Sequence, residues 1–195
     1  KPDLKFLRKV RKFASEKKII LIFDECTSGF RHCLGGFHKS FNINPDIATF
    51  GKCMGNGYAI TAVVGKKEIM DSAQESFISS TFFSERLGFV AALKTIEVLE
   101  KDKPWKKIYK MSEYYKKKLF SISRKYGIKI NISGLPAVIT FSVKKDKDNI
   151  IKTFITQEML KNGFIFSGAL YLSTAHNKKI LDKFFSRLSK VFLSL

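Results

Sequence analysis

Asp24 closes the apolar run Ile19-Ile-Leu-Ile-Phe23, and Lys52 follows 28 residues later inside Phe50-Gly-Lys-Cys-Met-Gly-Asn-Gly-Tyr58. The first piece reads as a buried strand with a carboxylate at its carboxyl end. The second is a lysine between a strand end and a glycine-rich turn. In α/β sheets, ligands sit just beyond the carboxyl ends of the strands. An amine and an acid delivered there together suit pyridoxal phosphate (PLP) chemistry, the amine forming a Schiff base and the acid holding the pyridinium nitrogen protonated. An acid so close to a core strand is costly unless paired, and a cofactor's ring N–H⁺ is a fitting partner. The glycine-lysine pair also resembles a phosphate loop, but Cys53 stands where that loop needs Ser or Thr, and the glycine spacing fails.

Each residue has a plainer reading. Lys52 is one of 30 lysines, and Asp24 could be a surface acid at a strand end. The glycines at 51, 55 and 57 and the strand that aims Lys52 towards Asp24 favour chemistry over surface. Cys26, His32, Cys33 and His38 could be read as a zinc cluster, but Cys-x5-His-Cys-x4-His matches no usual ligand pattern. Adjacent His32 and Cys33 would also struggle to converge on one ion, so no metal site is expected. The 19 phenylalanines sit at helical and strand spacings and read as core.

The elements that must place these residues follow from periodicity. Residues 2–16 read as an amphipathic helix, and Ile19–Phe23 as a parallel strand covered on both faces. Residues 25–44 read as a long loop. Strands follow at Ile47–Phe50 and Ala59–Gly65. Residues 84–101 form a helix apolar nearly all round, which suggests burial between elements. Lys101-Asp-Lys-Pro104 breaks the pattern and is the best boundary in the chain. Beyond it come a basic helix to about Lys125, strands at Ile128–Ile132 and Ala137–Val143 around a Gly134-Leu-Pro136 turn, a helix over 149–162, an extended segment 163–173 and a closing amphipathic helix. This second part is an α+β unit, distinct from the α/β unit before it.

Composition narrows the classes. The chain has 195 residues and a net charge of +19, which invites a nucleic-acid reading. The basic set, however, is 30 Lys and 6 Arg, scattered rather than clustered. Arg is the usual bidentate reader of phosphates and bases. A basic nucleic-acid-binding protein therefore stands only as the non-enzyme alternative, and no specific nucleic acid is expected. No apolar run approaches a membrane span, and three cysteines without paired spacing favour a reducing, cytoplasmic setting.

Phe23-Asp-Glu-Cys-Thr-Ser-Gly-Phe-Arg31, Pro45-Asp-Ile-Ala-Thr-Phe-Gly-Lys52 and Gly55-Asn-Gly-Tyr58 together resemble the signature of class III PLP-dependent aminotransferases. Leu34-Gly-Gly36, Ser80-Thr-Phe-Phe-Ser-Glu85 and Ser173-Thr-Ala-His176 bring the chain closer to the glutamate-1-semialdehyde 2,1-aminomutase-like branch. The resemblance implies an α/β, fold type I transferase. Residues 1–103 would be the C-terminal part of the large PLP-binding domain, and 104–195 the small α+β C-terminal domain. It implies Lys52 as the Schiff-base lysine and proton carrier and Asp24 as the partner of the pyridine nitrogen. Cys26 would pack on the ring face. Thr81 would reach the cofactor phosphate of the neighbouring subunit, hence a homodimer. Thr27 stands where ordinary class III transaminases carry a Gln, a departure shared with the aminomutase branch. The substrate would be a small amino, keto or aldehyde compound. An aminomutase and an ordinary transaminase acting on an amino sugar, amino acid or ω-amino compound both remain open. The family is longer on the N-terminal side, where the phosphate-gripping loop and the ring-stacking aromatic lie.

Overall fold

The computed structural model describes residues 2–195, Asp148 by its backbone alone. The chain resolves into two compact units, the first ending at Lys103 and the second spanning Pro104–Leu195.

The first unit holds helix α1 (Leu4–Glu16), strands β1 (Ile22–Asp24), β2 (Ile47–Phe50) and β3 (Ala62–Gly65), the short helix α2 (Lys67–Met70) and helix α3 (Arg86–Asp102). Asp3 sets the start of α1, because its carboxylate accepts from the Lys5 and Phe6 N–H groups. That cap satisfies two of the four open donors of a helix start and places the first turn two residues later than periodicity alone suggests. The strands form one sheet in the order β1-β2-β3. β1 runs parallel to β2 with Asp24 opposite Thr49, and β3 is antiparallel to β2. Asp24 and the Gly51-Lys52 step therefore leave the sheet from the same end. Asp46 ties the opposite end together. Its carboxylate accepts from Arg11 at 2.8 Å, Lys66 at 2.8 Å and the Leu21 N–H at 2.8 Å. Burial pushes the Asp46 carboxyl up, but Leu21, Lys66 and Arg11 outweigh it and hold it well below the usual carboxylate range.

Two expectations for this unit are corrected. The run Ile19–Phe23 is a parallel strand only over its last residues, and it is not covered on both faces. Ile19, Ile20 and Ile22 are each about half exposed; the first two precede the strand, and β1 is an edge strand among the described residues. Helix α3 is not buried all round either. It buries Gly88 and Ala92, while Leu87, Phe89, Val90 and Leu93 face outward. Small residues win the inner face because α3 approaches the backbone closely: a β-carbon on Gly88 would lie 2.7 Å from the Ala59 carbonyl oxygen.

The second unit holds α4 (Trp105–Lys125), β4 (Ile130–Leu135), β5 (Val138–Val143), α5 (Ile150–Lys161), β6 (Ala169–Tyr171) and α6 (Lys178–Leu193). Its sheet is antiparallel in the order β4-β5-β6. Leu119, Met159 and Leu188 lie fully buried at its centre, joined by a ring cluster of Phe164, Phe166, Phe184 and Phe185. The Gly134-Leu-Pro136 turn is corrected. Leu135 pairs with Val138, so the turn is Pro136-Ala137, and Gly134 lies within β4. Gly134 serves there because its φ is +92° and a β-carbon would collide with the Val138 carbonyl.

Candidate active site

Asp24 ends β1 with its carboxylate exposed at the sheet's carboxyl end. Its Oδ1 accepts from the Cys26 N–H at 2.9 Å and from the Thr49 hydroxyl at 3.3 Å. The Cys26 N–H holds the carboxyl below its ordinary value, helped by the Cys26 side chain, Thr49 and the positive charge of Lys52. Asp24 is thus an ionised carboxylate with one oxygen doubly engaged.

Lys52 opens a short 3₁₀ turn, Lys52–Met54, directly after β2. Its own backbone is left-handed, with φ at 44°. A lysine adopts that conformation at a cost, and such residues gather at sites where geometry matters more than comfort. The exposed amine donates to Thr27 Oγ1 at 2.6 Å. Cys26 closes the group on a third side, with Sγ 3.8 Å from Thr49 Oγ1. Gly51 lies beside that sulfur, where a β-carbon would stand in ordinary contact 3.7 Å away.

The structure brings together Asp24, Cys26 and Lys52, with Thr27 and Thr49 added. Thr81 lies elsewhere in the unit, in the exposed turn 81–84. Among the described residues it makes no side-chain hydrogen bond to this group.

Behind the exposed face lies a polar cluster that sequence reasoning passed over. Glu25, the residue after the strand, is buried where Asp24 is exposed. Its Oε1 accepts the His38 N–H at 2.9 Å and meets His38 Nδ1 at 2.9 Å, and Oε2 accepts from the Ser28 hydroxyl. Burial raises the Glu25 carboxyl, yet Ser28, the Phe37 and His38 N–H groups and the His38 ring together hold it below its ordinary value. Glu25 therefore pins both ends of the 26–38 loop that carries Cys26 and Thr27. Gly36 belongs to the same device, since a β-carbon there would collide with the His38 imidazole. His32, also buried, packs on Phe37 with ring centroids 4.6 Å apart. The histidines that suggested a metal cluster are thus engaged separately. Among the described residues no three His, Cys, Asp or Glu side chains converge.

The class-III aminotransferase family model matches residues 1–187. A 3-aminobutyryl-CoA aminotransferase of Cloacimonas acidaminovorans is 41% identical over 157 residues, 80% of this chain and 38% of the relative. A glutamate-1-semialdehyde 2,1-aminomutase of Methanosphaera stadtmanae is 31% identical over 201 residues, 93% of this chain and 47% of the relative. Among solved structures, the FumI protein of Sphingopyxis sp. in its PLP internal aldimine form superposes with a TM-score of 0.93 at 23% identity, over 98% of this chain and 47% of that one. An omega-transaminase of Sphaerobacter thermophilus follows the same fold, with a TM-score of 0.87 at 19% identity over 97% of this chain and 47% of its own. The chain spans about half the length of the curated relatives it matches.

Proposed function

This chain belongs to the class-III aminotransferase family, and on that premise we propose that it carries the reacting lysine and the ring-nitrogen acid of a PLP-dependent enzyme that moves an amino group. One observation supports this above the others: Lys52 and an ionised Asp24 leave adjacent parallel strands at the same end.

The residues present fit PLP. The donor set offers an exposed primary amine and an ionised carboxylate at the same end of the sheet, with Cys26 beside them. Lys52 would hold the cofactor's aldehyde carbon, Asp24 its ring nitrogen and Cys26 one ring face. Thr81 would contact the phosphate of a neighbouring subunit in a homodimer. When bound, PLP supplies an electron-withdrawing ring that accepts the electron pair left on a substrate carbon as its proton departs. Asp24, kept ionised by the Cys26 and Thr49 hydrogen bonds, holds the proton at the ring nitrogen. Lys52 Nζ, once free, takes a proton from one carbon and returns it to another, and Thr27 Oγ1 lies within reach of that nitrogen.

The aminomutase-like reading rests on the relatives matched over nearly the whole chain, in which an amino group changes carbon within one molecule. The aminotransferase from Cloacimonas, at 41% identity, favours the second reading, transfer to a separate acceptor. Single-substrate turnover separates them, since an aminomutase converts an amino aldehyde to an isomer of equal mass without any keto acceptor. No helix among the described residues is long and apolar enough to cross a membrane. A small-molecule substrate in a cytoplasmic setting, with no specific nucleic acid, completes the proposal.

Borohydride reduction of the full-length holoprotein followed by peptide mapping tests the assignment. Label is expected on Lys52; label on another lysine with Lys52 unmodified overturns it.

A further inference from the structure

We infer that Thr27 is a positioning residue for Lys52, its hydroxyl fixing where the amine stands whenever the lysine is free. The inference rests on the PLP reading above and adds a residue to it.

The contact is short, 2.6 Å from Lys52 Nζ to Thr27 Oγ1, and it spans 25 residues of sequence. An exposed lysine stem samples many rotamers, so an amine on such a stem has no fixed address without an anchor. Thr27 is suited to be one. Its β-branched side chain has few χ1 states. Its carbonyl accepts from Arg31 Nε at 2.8 Å, and the Gly29 N–H bonds back to the Glu25 carbonyl at 2.8 Å. Its neighbour Ser28 is held by buried Glu25, which in turn holds His38. The hydroxyl is thus tied through the loop to the sheet that carries Asp24.

The choice of a hydroxyl matters. A carboxylate at position 27 would lock the ammonium in an ion pair and compete with Asp24 for positive charge. A hydroxyl accepts one of the three N–H groups and leaves the others directed elsewhere. It orients the amine without neutralising it. The positive charge of Lys52 is felt at Asp24, so the oriented amine stands on the acid's side of the sheet end.

The test follows trapping of PLP by the full-length apoprotein. The Lys52 amine condenses with the PLP aldehyde and releases water. Cyanoborohydride then delivers hydride to the same carbon while the nitrogen takes up a proton. The rate of appearance of labelled Lys52 is read by peptide mass spectrometry and needs no turnover. Thr27→Val, which keeps the shape and removes the hydroxyl, is expected to label about tenfold more slowly at Lys52, with label spreading to other lysines. Thr27→Ser, which keeps the hydroxyl, is expected to stay within about threefold of the unaltered protein. Thr27→Ala provides a second hydroxyl-free variant should the valine form fail to fold. Equal rates in the unaltered and hydroxyl-free proteins overturn the role of Thr27 and leave the PLP reading intact. Slowing as severe in Thr27→Ser as in Thr27→Val also overturns it, since side-chain shape then governs. Absence of label at Lys52 in the unaltered protein overturns both.

Discussion

Lys52 holds a backbone angle that glycine would adopt without strain, so its chemistry and its conformation pull in opposite directions. Two substitutions separate them. Lys52→Ala and Lys52→Gly should both abolish the yellow, borohydride-trappable cofactor complex. In denaturant melts of the apoprotein, the glycine form should be more stable than the alanine form by about 1 kcal/mol, because it relieves the left-handed strain. Asp24→Asn is a milder change. The amide oxygen still accepts from Cys26 and Thr49, so the fold should persist. The lost charge at the ring nitrogen should lower kcat about a hundredfold or more. Near-normal turnover would remove Asp24 from the mechanism. Both residues were legible in the sequence because an apolar run and three glycines marked their setting. Thr27 was visible only as a departure from a family pattern. The Glu25–His38 pair was not legible, because its partners are 13 residues apart in a loop with no period to connect them.

At the level of elements, periodicity found the helices and most strands but misjudged what covers them. Hydrophobic character was read as burial in β1 and α3. Burial depends on neighbours, and the described residues leave Ile20, Ile22, Leu87 and Leu93 largely in solvent. The 25–44 loop shows the reverse, since a segment without pattern buries three polar side chains, Glu25, His32 and His38. His32 gives this loop a pH dependence. Burial, aided by the charge of Arg31, pulls its imidazole down from 6.5 to about 4. The folded state therefore favours neutral His32. Its contribution to stability is complete above pH 6.5 and is lost as pH falls from there towards 4, by up to about 3 kcal/mol. His32→Phe keeps the packing on Phe37 and removes the titration. Denaturant melts of the full-length protein at pH 7 and pH 4.5 should show a smaller drop for the variant, and equal drops would refute the account.

Across the whole molecule, apolar burial is uneven. Among the described residues, the second unit buries sixteen hydrophobic residues in one cluster, whereas Ala48, Phe50, Met54 and Ala92 make up the cluster around the first unit's sheet. The second unit has a core fit to fold by itself; the first, which carries Lys52 and Asp24, buries little. The isolated 195-residue chain is expected to bind PLP weakly and to lack transaminase activity, because one reversible bond to Lys52 is a poor grip without a full set of contacts to the phosphate. Tight stoichiometric binding in a spectrophotometric titration of this chain would contradict that expectation.

The one-sided strand β1 carries a practical consequence. Backbone donors and acceptors on its open side, set between exposed Ile20 and Ile22, form a template that any extended peptide can extend. Concentrated solutions of this chain should scatter light and seed β-rich aggregates from that edge rather than from the well-packed second unit. Natural edges resist such growth with lysine. Ile22→Lys, at an exposed position of β1, should slow the onset of scattering while leaving the Asp24–Thr49 register in place. An unchanged lag time would move the origin of aggregation to another surface, with the outward face of α3 the next to alter.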